Sequence, residues 1–281
     1  MRALVVATIV AAIAVLSSPA LGSADTHVRY VALGDSRAAG PHLDAAAWLD
    51  GCARSNLGYP GVVAQILHPE SFTNVSCTGA RTEHITSVPQ QTSTGPVPPQ
   101  LDALGPGTTL VTVSVGGNDI AWPQLISACY TGAPLVDAHC RSDPAVASRM
   151  DTALGALGPK VTATLGVIGQ RAPNARVLLV GHGGIFGTRG CWPNIPTSDA
   201  DAAFVNGFFT RMNRVLAGSA ASAGAQFVDV TVGAGGHDAC ALPGNSFFEG
   251  RYPLSLARPL HPTEAGMRHM ARRVVEVLQA G

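Results

Sequence analysis

Five short apolar segments, distributed along the chain and separated by helical patterns, constrain the fold more than any other feature of this sequence. They span residues 28–33, 72–77, 109–115, 176–181 and 226–230. Hydrophobic spacing typical of helices covers residues 60–67, 144–171, 199–223 and 262–279. Continuous apolar runs of this length are typical of strands buried on both faces of a sheet. The alternation predicts an α/β fold with a five-stranded parallel sheet and helices on both sides.

The first apolar segment stops abruptly at Gly34-Asp35-Ser36. A small-residue turn after a buried strand places the Ser36 hydroxyl at the carboxyl edge of the sheet, where open parallel sheets bind their ligands. A hydroxyl becomes a useful nucleophile when a neighbouring base removes its proton. An isolated serine in this position is more often a turn residue that caps a helix, so the nucleophile interpretation depends on the other motifs.

Two further turns follow the second and third predicted strands. Gly79 lies in a turn where the absence of a side chain lets a bare backbone N–H approach a substrate oxygen. Asn118 follows Gly116-Gly117 and carries a side-chain amide that donates hydrogen bonds. Both residues are candidate donors to a developing oxyanion. Each is also a common turn residue, so position alone leaves both interpretations open.

His261 is the histidine with the most constrained setting among the nine in the chain. It directly precedes Pro262, a residue favoured at the first position of a helix. An imidazole at a helix N-terminus is held in the neutral form that a general base needs. We therefore expect His261 to be the base that activates Ser36, with a non-catalytic helix-start histidine as the alternative.

The first residues have the features of a secretory signal. Arg2 is followed by an uncharged apolar run, and small residues lead to a plausible cleavage site after Ala24. We expect a signal peptide over residues 1–24 and one domain over residues 25–281, secreted to the extracellular space or the cell wall. Balanced charge, with 18 basic and 18 acidic residues, argues against a nucleic-acid partner. No stable membrane anchor is expected, and a monomer is the default.

Six cysteines in an exported chain indicate three disulfides, for which 15 pairings exist. We expect sequential pairing. Cys129 and Cys140 would close one short loop, and Cys191 and Cys240 each follow a predicted strand. The three expected pairs are Cys52–Cys77, Cys129–Cys140 and Cys191–Cys240. A zinc site is the weaker alternative because no CxxC pair is present, and neither a metal nor a cofactor is expected.

Taken together, the four motifs resemble those of the SGNH/GDSL hydrolase family. GDS near the mature N-terminus, a glycine after strand two, GxND after strand three and HP near the C-terminus occur in that family's order. The six cysteines resemble the secreted actinobacterial esterase and lipase branch. The resemblance implies a flavodoxin-like three-layer α/β/α fold and hydrolysis of carboxylic esters. It implies Ser36 as nucleophile and oxyanion donor, Gly79 and Asn118 as further donors, and His261 as base.

One position departs from the family pattern. The family commonly has an aspartate three residues before the histidine, and here that position is Arg258, whose guanidinium cannot accept a hydrogen bond. We expect the Arg258 backbone carbonyl to orient the imidazole. A distant acid, Asp229, Asp238 or Glu249, is the alternative.

The expected function is hydrolysis of an ester through an acyl-enzyme. The substrate would be an acyl glycerol, a short-chain ester or a cell-envelope ester. Carbohydrate acetyl esterase and phospholipase activities use the same chemistry. A non-catalytic secreted binding protein on the same scaffold is the alternative from another class, which the missing aspartate keeps open.

Overall fold

The computed structural model describes residues 27–280. The predicted signal peptide, residues 1–24, lies outside the described residues. Among the described helices, none combines the length and apolar character needed to cross a bilayer.

The central feature of the fold is a five-stranded, all-parallel sheet. Two further strands, β3 and β4, form a separate antiparallel hairpin outside this sheet. The strands are β1 (Arg29–Gly34), β2 (Ser71–Asn74), β3 (Gln90–Thr92), β4 (Gly95–Val97), β5 (Leu110–Ser114), β6 (Arg176–Val180) and β7 (Gln226–Val228). The spatial order β2-β1-β5-β6-β7 is the flavodoxin-like order. The predicted fold class is therefore confirmed.

Helices connect the strands and cover the sheet. They are α1 (Ser36–Ala39), α2 (Ala45–Leu49), α3 (Tyr59–Leu67), α4 (Thr82–Thr86), α5 (Trp122–Ile126), α6 (Pro144–Arg171), α7 (Asp199–Ser222) and α8 (Glu264–Ala280). The two longest helices, α6 and α7, pack against each other on one face of the sheet. Helices α3 and α8 pack together on the opposite face.

Alternate strand residues divide between two hydrophobic cores because successive side chains of a strand point to opposite faces. Leu33 and Val113 belong to the core under α6 and α7. Tyr30 and Ala32 belong to the core under α3 and α8. Both faces are buried, which explains the continuous apolar runs in the sequence.

Three local features differ from the sequence predictions. Strand β2 ends at Asn74 rather than at residue 77 and is largely exposed, because it forms the edge of the sheet and pairs on one side only. The segment between α4 and β5 lies outside the predicted strands and helices, yet it contains the hairpin and a 3₁₀ helix, Gln100–Ala103. Helix α8 begins at Glu264, so Pro262 is not its first residue.

Three disulfides link loops near the carboxyl edge of the sheet. They join Cys52 to Cys77, Cys129 to Cys140, and Cys191 to Cys240, and no described cysteine is left free. This is the sequential pairing. The Cys52–Cys77 bond ties the loop after α2 to the loop that follows β2, and the Cys52 carbonyl accepts a hydrogen bond from the Thr78 N–H.

Candidate active site

The four residues singled out from the sequence lie around one cavity at the carboxyl edge of the sheet. Ser36 opens α1 directly after β1, Gly79 lies in the loop after β2, and Asn118 lies in the loop after β5. His261 lies in the loop that leads into α8. All four line a cavity of about 300 Å³. Crossover connections bring these distant segments together, because parallel strands end at the same edge.

Ser36 and His261 are in direct hydrogen-bond contact. The distance between Ser36 Oγ and His261 Nε2 is 2.7 Å, within the range required for proton transfer between a nucleophile and its base. Ser36 is fixed because it forms the first residue of α1, where the Asp35 side chain caps the helix by accepting the Arg37 N–H. The Ser36 hydroxyl therefore faces the cavity beside a base.

A backbone carbonyl orients the imidazole, but it belongs to Pro259 and not to Arg258. His261 Nδ1 lies 2.7 Å from the Pro259 oxygen. A carbonyl only accepts, so Nδ1 carries the proton and Nε2 is left as the acceptor for the Ser36 hydroxyl. The expectation that Arg258 supplies this carbonyl is wrong.

A tight turn from Arg258 to His261 explains why the Pro259 carbonyl, and not the Arg258 carbonyl, bonds the imidazole. The Arg258 carbonyl accepts the backbone N–H of His261, at 3.1 Å, and is engaged in closing the turn. Leu260, the third residue of the turn, has a φ of +62°, which is the sign that a type II turn requires at this position. The central peptide of such a turn is flipped, and the Pro259 carbonyl faces the imidazole instead.

The three acids considered as alternatives for orienting His261 form hydrogen bonds with other groups. Asp229 accepts hydrogen bonds from Thr231, and Asp238 accepts from the Cys240 N–H. The Glu249 carboxylate accepts the backbone N–H groups of residues 254 and 255. Within residues 27–280, no carboxylate is hydrogen-bonded to His261.

Desolvation by the surrounding protein lowers the pKa of His261 to about 4. The hydrogen bond to Pro259 opposes this shift, whereas the positive charges of Arg258 and Arg37 reinforce it. The imidazole is therefore neutral near pH 7, as a general base must be. The helix N-terminus is not the main cause of the neutral state: α8 begins three residues after His261, and burial lowers the pKa of the imidazole most.

The three expected oxyanion donors, Ser36, Gly79 and Asn118, line the same cavity. The backbone N–H groups of Ser36 and Gly79 have no acceptor within the described part of the chain. The Asn118 amide donates one hydrogen to the Ala80 carbonyl at 2.9 Å, which fixes its orientation and leaves its second hydrogen available. Gly79 has a φ of +85°, a conformation that favours glycine.

Two glutamines that the sequence analysis missed hold this machinery in place. Gln100 is buried and bonds both backbone groups of Gly34, accepting from the N–H at 2.7 Å and donating to the carbonyl at 2.8 Å. Gln90 donates to the Thr78 carbonyl, adjacent to Gly79. Gln90 lies in β3 and Gln100 in the 3₁₀ helix that follows the hairpin, and no local sequence pattern points to their contacts.

Gly34 is required by packing. A Cβ at this position would lie 2.6 Å from the backbone oxygen of Ser114 on the neighbouring strand β5. Its φ of +138° also belongs to the left-handed side of the backbone map. The turn that presents Ser36 therefore depends on a glycine two residues earlier.

The remaining cavity wall has an apolar side and a polar side. Trp122, Pro123 and Ile185 supply apolar surface that could hold an acyl chain. Arg37, His182 and Arg258 supply polar and charged groups. Among residues 27–280, no cluster of three or more metal-ligating side chains occurs.

A flavodoxin-like α/β/α fold with a serine hydroxyl bonded to a neutral histidine, beside free hydrogen-bond donors, is typical of serine hydrolases. Comparisons with known proteins agree with this class. The model of the GDSL-like lipase/acylhydrolase family matches residues 32–269. The chain belongs to the GDSL-like lipase/acylhydrolase family, and it is a carboxylic ester hydrolase.

Named relatives come from Streptomyces. Lipase 2 of Streptomyces coelicolor is 35% identical over 268 residues, which cover 89% of this chain and 85% of that protein. Lipase 1 of the same species is 30% identical over 246 residues, covering 84% of this chain and 81% of that protein.

Solved structures show the same fold. Phospholipase A1 from Streptomyces albidoflavus superposes with a TM-score of 0.71 at 24% identity, covering 89% of this chain and 99% of that one. The extracellular lipase of Streptomyces rimosus gives a TM-score of 0.69 at 24% identity, with the same coverage.

Proposed function

We propose that this protein is a secreted esterase or lipase that cleaves carboxylic esters through an acyl-enzyme on Ser36, with His261 as the only side chain acting as base. The observation that carries the proposal is the 2.7 Å contact between Ser36 Oγ and His261 Nε2. The neutral state of the imidazole supports the direction of proton transfer, from serine to histidine.

In the first half of the reaction, Ser36 Oγ attacks the ester carbonyl while its proton moves to His261 Nε2. The negative charge that develops on the carbonyl oxygen is stabilised by the N–H groups of Ser36 and Gly79 and by the Asn118 amide. The tetrahedral intermediate then breaks its bond to the alkoxy oxygen. His261 returns its proton to that oxygen, and the alcohol leaves an acyl group on Ser36.

The second half repeats these steps with water. His261 accepts a proton from a water molecule as it attacks the acyl carbonyl, and the same donors stabilise the second oxyanion. Proton return to Ser36 Oγ releases the carboxylic acid. Through both halves the Pro259 carbonyl keeps the proton of the imidazole on Nδ1. A neutral carbonyl stabilises the imidazolium less than a carboxylate does.

The substrate and location follow from the wall of the cavity and from the cysteines. The apolar side formed by Trp122, Pro123 and Ile185 suits an acyl chain, and lipase activity in the relatives supports an acyl glycerol or a similar ester.

Three disulfides favour an oxidising compartment. Removal of residues 1–24 and secretion of a monomeric domain, residues 25–281, complete the proposal.

Serine-directed labelling tests the nucleophile. A nitrophenyl phosphonate should label the wild type at Ser36, and a panel of nitrophenyl esters of increasing chain length should be hydrolysed. Ser36→Ala should lose at least about a thousandfold in kcat, whereas the exposed control Ser222→Ala should keep the wild-type rate. Hydrolysis that survives in Ser36→Ala would reject Ser36 as the nucleophile.

The absence of a catalytic acid is tested separately. Asp229→Asn, Asp238→Asn and Glu249→Gln should each keep kcat within about tenfold of the wild type, because none of these carboxylates is bonded to His261. A thousandfold loss in one of them, with an unchanged melting temperature, would make that residue the third member of a triad.

A further inference from the structure

The polar side of the active-site cavity contains buried groups that the proposed mechanism does not use. Arg37 and His182 each expose only 3% of their surface, and both line the cavity with Thr78. Arg37 Nε, Thr78 Oγ1 and His182 Nδ1 are buried and lack a hydrogen-bond partner within the described residues. Buried polar atoms without partners are rare because each one costs free energy. All three residues line the cavity, where a polar ligand would supply the missing partners.

Arg37 is the most unusual of these residues. Its guanidinium donates one hydrogen bond, from Nη2 to the Met270 sulfur at 3.9 Å, and sulfur is a weak acceptor. The guanidinium also lies 5.3 Å from the centre of the Phe248 ring. No carboxylate of residues 27–280 forms an ion pair with it. A buried charge is normally paired, so this guanidinium lacks its expected anion.

The nearest acid does not fill this role. The Asp35 carboxylate accepts the backbone N–H of Arg37 as a helix cap rather than bonding the guanidinium. Burial raises the pKa of Asp35 to about 7, and the hydrogen bond from the Arg37 N–H and the positive charge of Arg37 oppose this shift only in part. Asp35 is the one carboxylate among the described residues that line the cavity. Arg258 adds a second positive charge to the same wall, in an exposed position.

We propose that this cavity recognises an ester that carries a negatively charged oxygen group, a carboxylate or a phosphate, close to the scissile bond, and that Arg37 is the residue that binds it. The proposal rests on the function proposed above. Arg37 lines the same cavity as Ser36 and His261, so an anion held by its guanidinium in that cavity would lie beside the ester that is attacked. The planar guanidinium suits two parallel hydrogen bonds to such a group.

The test compares two pairs of esters on the wild-type protein, each with one anionic and one neutral member. The first pair is nitrophenyl hemisuccinate and the nitrophenyl ester in which an isopropyl group replaces the distal carboxylate. The second pair is lysophosphatidic acid and the corresponding monoacylglycerol, which places the anion on the alcohol side. We expect kcat/KM to favour the anionic member of at least one pair by about tenfold or more, the ratio for one charge-assisted hydrogen bond. The pair that responds identifies which side of the ester carries the anion.

Variants assign the preference to Arg37. Arg37→Met should remove the preference for the anionic ester, and Arg37→Lys should retain part of it. The control Arg214→Met, at an exposed position on α7, should keep it in full. Should Arg37→Met fail to fold, Arg37→Lys decides, because loss of the planar fork must lower the preference.

Equal or faster hydrolysis of the neutral ester in both pairs overturns the inference, as does a preference for the anionic ester that is undiminished in Arg37→Met or in Arg37→Lys. Failure of the proposed function gives a different result. In that case the wild type would hydrolyse neither member of a pair faster than Ser36→Ala does.

Discussion

The pH dependence of ester hydrolysis gives the sharpest test of how the structure sets the catalytic base. Lowering the assay pH from 7 to about 5 should barely affect kcat/KM, because burial lowers the pKa of His261 to about 4. At pH 5 about 90% of an imidazole with that pKa is neutral, compared with about 3% for an imidazole with the ordinary value of 6.5. The two cases differ about thirtyfold in activity at that pH.

Activity should fall at low pH because only the neutral imidazole of His261 can act as a base. Protonated His261 cannot accept the Ser36 proton, so activity falls as pH decreases through the pKa of the free enzyme. Initial rates with a neutral nitrophenyl ester across pH 3.5 to 8 would give this acidic limb. Tryptophan fluorescence at each pH would separate inactivation of the base from unfolding.

A variant tests the cause of the shift. Arg258 lowers the pKa of His261 by electrostatic repulsion of the imidazolium, so Arg258→Gln should move the acidic limb to higher pH. Arg251→Gln, a change to an exposed arginine in the same loop, should leave the limb in place. A wild-type limb centred near 6.5, with the fold intact, would refute the conclusion that burial controls the base.

Three other predictions follow from contacts around the site. Asn118→Ala should lower kcat about a hundredfold to a thousandfold with little change in KM, because it removes one of the three proposed oxyanion donors. Gln100→Met should leave the buried Gly34 N–H without an acceptor, destabilise the protein by about 2 kcal/mol and lower the melting temperature in calorimetry by about 4–8 °C. Replacing Cys52 and Cys77 by serine should reduce the free energy of unfolding in urea by about 3 kcal/mol, since it opens a loop of 25 residues.

Each of these has a result that would contradict it. An Asn118→Ala variant with wild-type kcat would remove the side chain from the oxyanion hole. An unchanged melting temperature in Gln100→Met would show that water or a neighbouring group replaces the glutamine. A double serine variant as stable as the wild type would mean that the Cys52–Cys77 loop is already ordered without the bond.

The sequence predicted the sheet well because its signals are local. Continuous apolar runs predicted the five parallel strands, and helix α6 was predicted with the bounds that the structure gives, since Pro144 marks its start. Strand β2 was predicted as buried from its apolar residues, yet the edge position leaves Phe72 exposed. Whether a strand is central or at the edge depends on pairing, which a single segment does not encode.

In the site too, the sequence predicts residues that belong to local motifs and does not predict contacts that depend on the folded backbone. Ser36 and His261 were predicted from motifs, and the structure places them in contact. The histidine-orienting carbonyl was assigned to Arg258 by counting residues, whereas the positive φ of Leu260 turns Pro259 toward the imidazole. The contacts of Gln100 with Gly34 join residues 66 positions apart, and no periodicity or spacing could reveal them.

The close approach of Gly34 to strand β5 shows that a residue of a catalytic motif can be required by the fold rather than by the reaction. Because an added methyl group would collide with the Ser114 oxygen, the glycine is demanded by the architecture and not by the reaction. In a saturation library sorted only for correctly folded, exported protein, Gly34 should remain invariant while position 36 accepts several small residues. Within the same motif, the fold therefore requires Gly34, whereas the proposed reaction requires Ser36.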